Sequence, residues 1–172
     1  MTDLKKFATS VRHNYIVPGL TSMVLARSDA PAGGMVRLFC MERQQEYEVT
    51  PHNHRYDFTC LVLAGQVYNR VYESVEGSGS VTHAIFNYDA TTKGLAHKPL
   101  SEVAMAYDEL IYETGEWYSM THEQFHSIRF SRGAEVLFFE GPQITDISQC
   151  LLPISHGRIC NTFLSADWMM QP

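Results

Sequence analysis

From residue 35 onward the chain alternates apolar and polar side chains in short runs. Residues 66–75 set Val67, Asn69 and Val71 against Tyr68, Arg70 and Tyr72. A period of two places successive side chains on opposite faces of a strand. The same reading predicts strands over residues 35–41, 58–64, 81–88, 116–120, 127–130 and 135–139, and over 110–112 within the less regular stretch 102–113. Turn residues separate them: Asp29-Ala-Pro-Ala-Gly-Gly34, Ala64-Gly65, Glu76-Gly77-Ser78-Gly79 and Gly141-Pro142. The runs on either side of Ala64-Gly65 read as a hairpin. Residues 89–101 are polar with Gly and Pro and read as a loop, placed to act as a lid.

Both ends depart from this pattern. Residues 2–28 predict one or two short helices, broken at Val17-Pro18-Gly19. Residues 143–172 predict a strand or short helix that packs back through Trp168. Long helices between the strands, which a parallel sheet needs, are missing from the pattern. The expectation is one all-β domain over 1–172: an N-terminal helical extension (1–34), a barrel core (35–142) and a C-terminal segment (143–172).

Composition narrows the function. The chain has 172 residues, 45% hydrophobic and 19% charged, enough for a core without staples. Its net charge is -6, and Lys5-Lys6 is its one basic doublet with Asp3 close by. Nucleic acid and anionic membrane, which need a basic face, are not predicted partners. No run approaches a membrane span, and the N-terminal residues lack the apolar stretch of a signal peptide. Cys40, Cys60, Cys150 and Cys160 form no C-x-x-C pair. The reading is a cytoplasmic protein with reduced thiols.

The chemistry concentrates at Pro51-His52-Asn53-His54-Arg55-Tyr56-Asp57-Phe58. Two histidines at i and i+2 on a strand share a face, a spacing that lets both imidazoles reach one ion but that surface or core histidines also show. His126 follows downstream. This pattern resembles the cupin superfamily. His52, His54 and Gly65 fall at the separations of that family's first motif, and Gly115 and His126 at those of its second. Glu46, Thr121, Glu123 and Phe130 replace other motif residues, and the motif's glutamate position falls on Phe58 or Thr59. The resemblance implies a double-stranded β-barrel (jelly roll) with a metal on His52, His54 and His126 and no carboxylate ligand. A regular strand turns Asp57 away; only a bulge after His54 would bring it in.

A three-histidine face is similar to the thiol dioxygenase branch, typified by cysteine dioxygenase. Its cross-linked Cys and Ser-His-Tyr triad have no counterpart here. Small uncharacterised cupins with H-x-H-x-x-D-F are also similar, and Leu137-Phe138-Phe139-Glu140-Gly141-Pro142 resembles their later element. The resemblance implies Fe(II), with Zn, Ni, Mn, Co or Cu also suited to imidazoles. It implies an oxygenase acting on a small molecule (a thiol, amino acid or specialised metabolite) with O2. The alternatives are a metal-dependent lyase or isomerase with a tyrosine base, or a non-catalytic metal-binding cupin. Cupins often dimerise, and residues 1–45 and the tail are the candidate contacts.

Parity assigns further roles. Tyr56, Phe58 and Cys60 share the face of the two histidines. Tyr56 and Tyr118 are the candidate catalytic residues, and Phe58 and Cys60 the candidate substrate pocket. Each also reads as an ordinary core residue. Asp57 reads as a turn cap or a partner of Arg55 or Arg70. His122 and Glu123 read as solvated turn residues, His83 as a hydrogen-bonded strand histidine, and His97 as a loop residue. A substrate carboxylate would call for an arginine; Arg37, Arg43, Arg70 and Arg129 all qualify.

Overall fold

Alternation translates into strands with one buried face. The structure, a computed structural model, describes residues 3–30, 33–76, 80–89, 94–96 and 98–159. After a 3-10 turn at Asp3–Phe7 come β1 (Ser10–Arg12), β2 (Leu20–Arg27), β3 (Met35–Met41), β4 (Phe58–Ala64) and β5 (Val67–Ser74). Next are β6 (Val81–Asp89), β7 (Gly94–Leu95), β8 (Ser101–Tyr112), β9 (Trp117–Met120) and β10 (Phe125–Phe130). Then follow β11 (Glu135–Glu140), β12 (Ser148–Ser155) and β13 (Arg158–Ile159). In β4, Phe58, Cys60 and Val62 are buried while Thr59 and Leu61 are half-buried.

Two antiparallel sheets result. One has the order β1-β2-β3-β11-β4-β9; the other runs β10-β5-β8-β6-β12-β13, with β7 on β6. Phe58, Cys60, Val62, Val136 and Phe138 from the first sheet meet Val67, Ile128 and Phe130 from the second in one core cluster. No helix among the described residues is long and apolar enough to cross a membrane.

Three sequence expectations change. Of the one or two short helices expected over 2–28, the N-terminal extension carries one, the 3-10 helix at Asp3–Phe7, and the rest is β1, β2 and their connections. Leu20, Thr21, Ser22 and Val24 are buried, and β2 pairs with β3 along its length. Sheet pairing decides the conformation of a segment whose own propensity is ambiguous. The break at Val17-Pro18-Gly19 is a turn that folds β2 back on β1. Tyr15 N–H donates to Leu20 O at 2.8 Å.

The hairpin at Ala64-Gly65 does not form either. β4 pairs with β9 and β11, and β5 with β8 and β10, so the turn passes from one sheet to the other. Gly65 adopts a φ of +72°, and a Cβ there would lie 2.8 Å from Ser131 Oγ and 2.9 Å from Ala134 Cα. Only glycine meets both demands. Lastly, the whole of residues 101–112 is strand, pairing with β6 through its first part and β5 through its second. Residues 77 to 79 of the predicted turn, His97 and much of its loop, Cys160 and Trp168 lie outside the described residues.

Candidate metal centre

The chain before β4 places the first two histidines. His52 N–H donates to His126 O, and His126 N–H to His52 O, each at 2.9 Å. On the other side Leu151 N–H donates to Pro51 O at 2.8 Å and Asn53 N–H to Gln149 O at 3.0 Å. The segment is thus held between β10 and β12. The H-x-H pair stands on this extended connector rather than inside a regular strand. His126 comes from the adjacent β10.

The three rings converge. One ligand nitrogen from each of His52, His54 and His126 lies within 4.8 Å of the others. Ring centroids are 4.8 Å apart for His52 and His54, 5.0 Å for His52 and His126, and 5.1 Å for His54 and His126. His54 Nε2 and His126 Nε2 are 2.9 Å apart. Two ring nitrogens stand this close only with a proton or a cation between them. For metal–nitrogen bonds of about 2.0–2.1 Å, nitrogens at right angles on one ion lie about 2.9 Å apart.

Hydrogen bonds behind the rings fix their tautomers. His126 Nδ1–H donates to Asn69 Oδ1 at 2.8 Å, and His52 Nδ1–H to Thr50 O at 2.8 Å. Each bond leaves the Nε2 lone pair facing the cluster. Asn69 sits on β5 and is 1% exposed. Its place in the Val67–Val71 face was the one sequence signal of this role, a lone amide on an apolar stripe.

Burial keeps these rings neutral. It lowers the pKa of His52, and drives His54 and His126 well below the ordinary histidine value. His52 adds to the depression of both, and His126 and Arg55 to that of His54. His126 is buried, while His52 and His54 keep some accessible surface at the cavity. Neutral imidazoles are the form that ligates a metal. The donor set therefore fits a divalent ion, and the structure carries a three-histidine metal site. Among the described residues no carboxylate joins it. Asp57 is exposed and turned away, accepting from His122 N–H at 2.7 Å and His122 Nδ1–H at 2.9 Å. Those bonds hold its carboxyl below its usual range.

Beside the rings lies a cavity of about 50 Å³, lined by the three histidines, Phe58, Cys60, Tyr118 and Phe138 among others. Two antiparallel sheets closing over three convergent imidazoles decide the architecture. The fold is a two-sheet antiparallel β-barrel of the jelly-roll type.

Within this barrel, Phe58 packs between the ligands and the far wall. Its ring centroid is 4.7 Å from His54, 5.6 Å from His126 and 4.9 Å from Phe138. Cys60 and Tyr118 are opposed across β4 and β9 and hydrogen-bond to each other. Burial pushes the Cys60 thiol up to about 12 and the Tyr118 phenol well above its usual range. Tyr56 packs its ring 5.5 Å from His54 but shares its hydroxyl with Glu140. Burial, with the Glu140 charge next, holds the Tyr56 phenol well up.

Of the four candidate arginines, Arg37 faces the barrel interior. Arg37 pairs in register with Phe138, Phe138 with Cys60, and Cys60 with Tyr118. Directly opposed residues share a face, so Arg37 projects to the cavity side. Its Nε is 3.7 Å from Glu140 Oε2 and its Nη1 is 3.4 Å from Ser22 Oγ. Burial raises the Glu140 carboxyl, against the pull of Arg37. The other candidates are engaged elsewhere. Arg70 binds Glu48 and Glu109, each at 2.8 Å. Arg129 covers Tyr68, its guanidinium 4.3 Å from the ring centroid, and Arg43 packs on Gly19. His83 is buried with its Nδ1 2.8 Å from Val81 O. His122 and Glu123 lie in the turn before β10.

No protein-family model matches the sequence, and no curated protein does. Solved structures with a similar backbone course are distant. KdgF from Halomonas sp. is 12% identical with a TM-score of 0.44, over 78% of this chain and 87% of that one. A cupin superfamily protein from Desulfitobacterium hafniense DCB-2 is 14% identical with a TM-score of 0.42, over 78% and 83%. Hydroxypropylphosphonic acid epoxidase from S. wedmorenis is 12% identical with a TM-score of 0.47, over 82% and 58%.

Proposed function

We propose that this chain is a metal-dependent oxidoreductase, a non-haem Fe(II) oxygenase of a small molecule. The observation that carries the reading is three neutral imidazoles, from one connector and one strand, gathered on one side of a cavity with an apolar wall. Three protein ligands on one side leave coordination positions free, the mark of a catalytic rather than a structural site. When bound, Fe(II) would supply a place for substrate and O2 to meet and the electrons that O2 chemistry needs. His52, His54 and His126 would hold it.

The remaining residues have roles under this reading. Asn69 and the Thr50 carbonyl keep two ligand rings in the metal-binding tautomer. Phe58, Phe138 and Cys60 exclude bulk water from the reacting face. The cavity of about 50 Å³ limits the metal-bound part of the substrate to a small headgroup. Arg37 is the inward cation suited to an anionic group on that substrate, such as a carboxylate. Tyr118 orients the substrate from the wall, and Tyr56 braces His54 through its ring.

A lyase or isomerase reading needs a phenolate base. Burial raises both Tyr56 and Tyr118, and each hydroxyl is already hydrogen-bonded, which favours the oxygenase reading. The test is anaerobic purification, elemental analysis and O2 uptake with a panel of small thiols and amino acids. About one equivalent of iron is expected, with O2 consumed alongside substrate. His126→Ala is expected to lose both. Substrate turnover without O2, equally well with Zn or Mn, would replace this reading with the lyase.

A further inference from the structure

The outer face of the second sheet, directly behind the histidines, carries a second pocket of about 450 Å³. That volume is in the range of small-molecule sites. Its floor is a row of three carboxamides. Gln149 on β12 opposes Asn87 on β6 in register, and its Nε2 donates to Asn87 Oδ1 at 3.2 Å. Gln149 N–H donates to Asn53 Oδ1 at 2.6 Å. Asn53, Gln149 and Asn87 thus stand side by side on neighbouring extended segments, at strand spacings of about 4.8 Å.

These bonds orient the amides and leave capacity unspent. Asn53 and Asn87 each use the carbonyl oxygen, so their NH2 groups remain available as donors. Gln149 uses its NH2 and keeps its carbonyl oxygen as acceptor. Among the described residues nothing bonds to Asn53 Nδ2, Asn87 Nδ2 or Gln149 Oε1. Glu123 adds a carboxylate acceptor at the rim. The walls include Leu100 and Ile147, which are 56% and 45% exposed.

Among the described lining residues there is no Lys or Arg, so an anion has no counter-charge here. The one histidine among the described lining residues, His122, is committed to Asp57. Alternating donors and acceptors suit hydroxyl groups, each of which both donates and accepts. Apolar walls suit the C–H faces of the same molecule. We infer that this pocket binds a neutral polyhydroxylated molecule, a sugar or polyol. Asn53 lies between the ligands His52 and His54, so an occupant of the pocket touches the connector that carries the metal. The inference is independent of the oxygenase reading.

Titration of the full-length protein with D-glucose and maltose, followed by NMR of the side-chain amides, tests it. At least one sugar is expected to shift the NH2 signals of Asn53 and Asn87 saturably. Asn87→Ala is expected to weaken binding about ten-fold, the effect of one lost hydrogen bond. Glu123→Gln, in an exposed turn that leaves the fold alone, is expected to weaken it as well. His126→Ala is expected to leave it unchanged. Shifts that never saturate, or affinities unaltered in both folded variants, would overturn the assignment. So would loss of binding in His126→Ala, which would put the sugar at the metal instead.

Discussion

At the scale of single residues, the metal centre depends on groups that never touch the metal. Asn69 is the clearest case. Its carbonyl holds the Nδ1 proton of His126 and so presents the Nε2 lone pair. Asn69→Ala is expected to lower metal affinity roughly 10–100-fold, read by competition against a chromophoric chelator. His83 makes a separate test of burial. Its folded pKa is lowered from 6.5 because the ring is buried. As pH falls through about 6.5, the unfolded chain takes up this proton before the folded one does, so stability falls with pH. Wild type is expected to lose more thermal stability than His83→Gln between about pH 7.5 and about pH 5.5.

At the scale of elements, the decisive feature is a turn that does not make a hairpin. β4 ends at Ala64 and β5 begins at Val67, yet the two belong to different sheets. Gly65 permits the crossing through its left-handed backbone and its closeness to Ser131 and Ala134. This crossing sets β4, which carries Phe58 and Cys60, opposite β5, which carries Asn69. Gly65→Ala is expected to destabilise the fold by about 1–3 kcal/mol. A urea midpoint lowered at unchanged slope would check it. The connector that carries the H-x-H pair is a second such element. Its bonds to β10 on one side and β12 on the other bring His52 beside His126, although 72 residues separate His54 from His126.

At the scale of the whole molecule, the barrel brings together three ligands from distant parts of the chain. A ligand that binds the folded state alone stabilises it by mass action. Adding a well-matched divalent ion at a hundred times its Kd is expected to contribute about 2.7 kcal/mol. A raised Tm, reversed by chelator and missing in His126→Ala, is the check. The same organisation puts two different surfaces back to back. The inner one is apolar around imidazoles, and the outer one is a carboxamide row, with the connector serving both.

Alternation by itself was enough to determine β3 to β6, β9 to β11, the all-β class and the barrel-facing parity of Phe58 and Cys60, because a period of two is a local property of the backbone. The pair His52 and His54 was legible for the same reason. Partnership between strands was not, since register is decided by which buried faces meet in three dimensions. Residues 20–27 became a strand only because β3 offered an edge, and Ala64-Gly65 became a crossing because each flanking strand found partners elsewhere. The choice of Arg37 among four arginines, the turn of the Tyr56 hydroxyl to Glu140 and the support of His126 by Asn69 are likewise contacts between distant parts of the chain. Such contacts exist only once the barrel closes, and tertiary structure alone decided them.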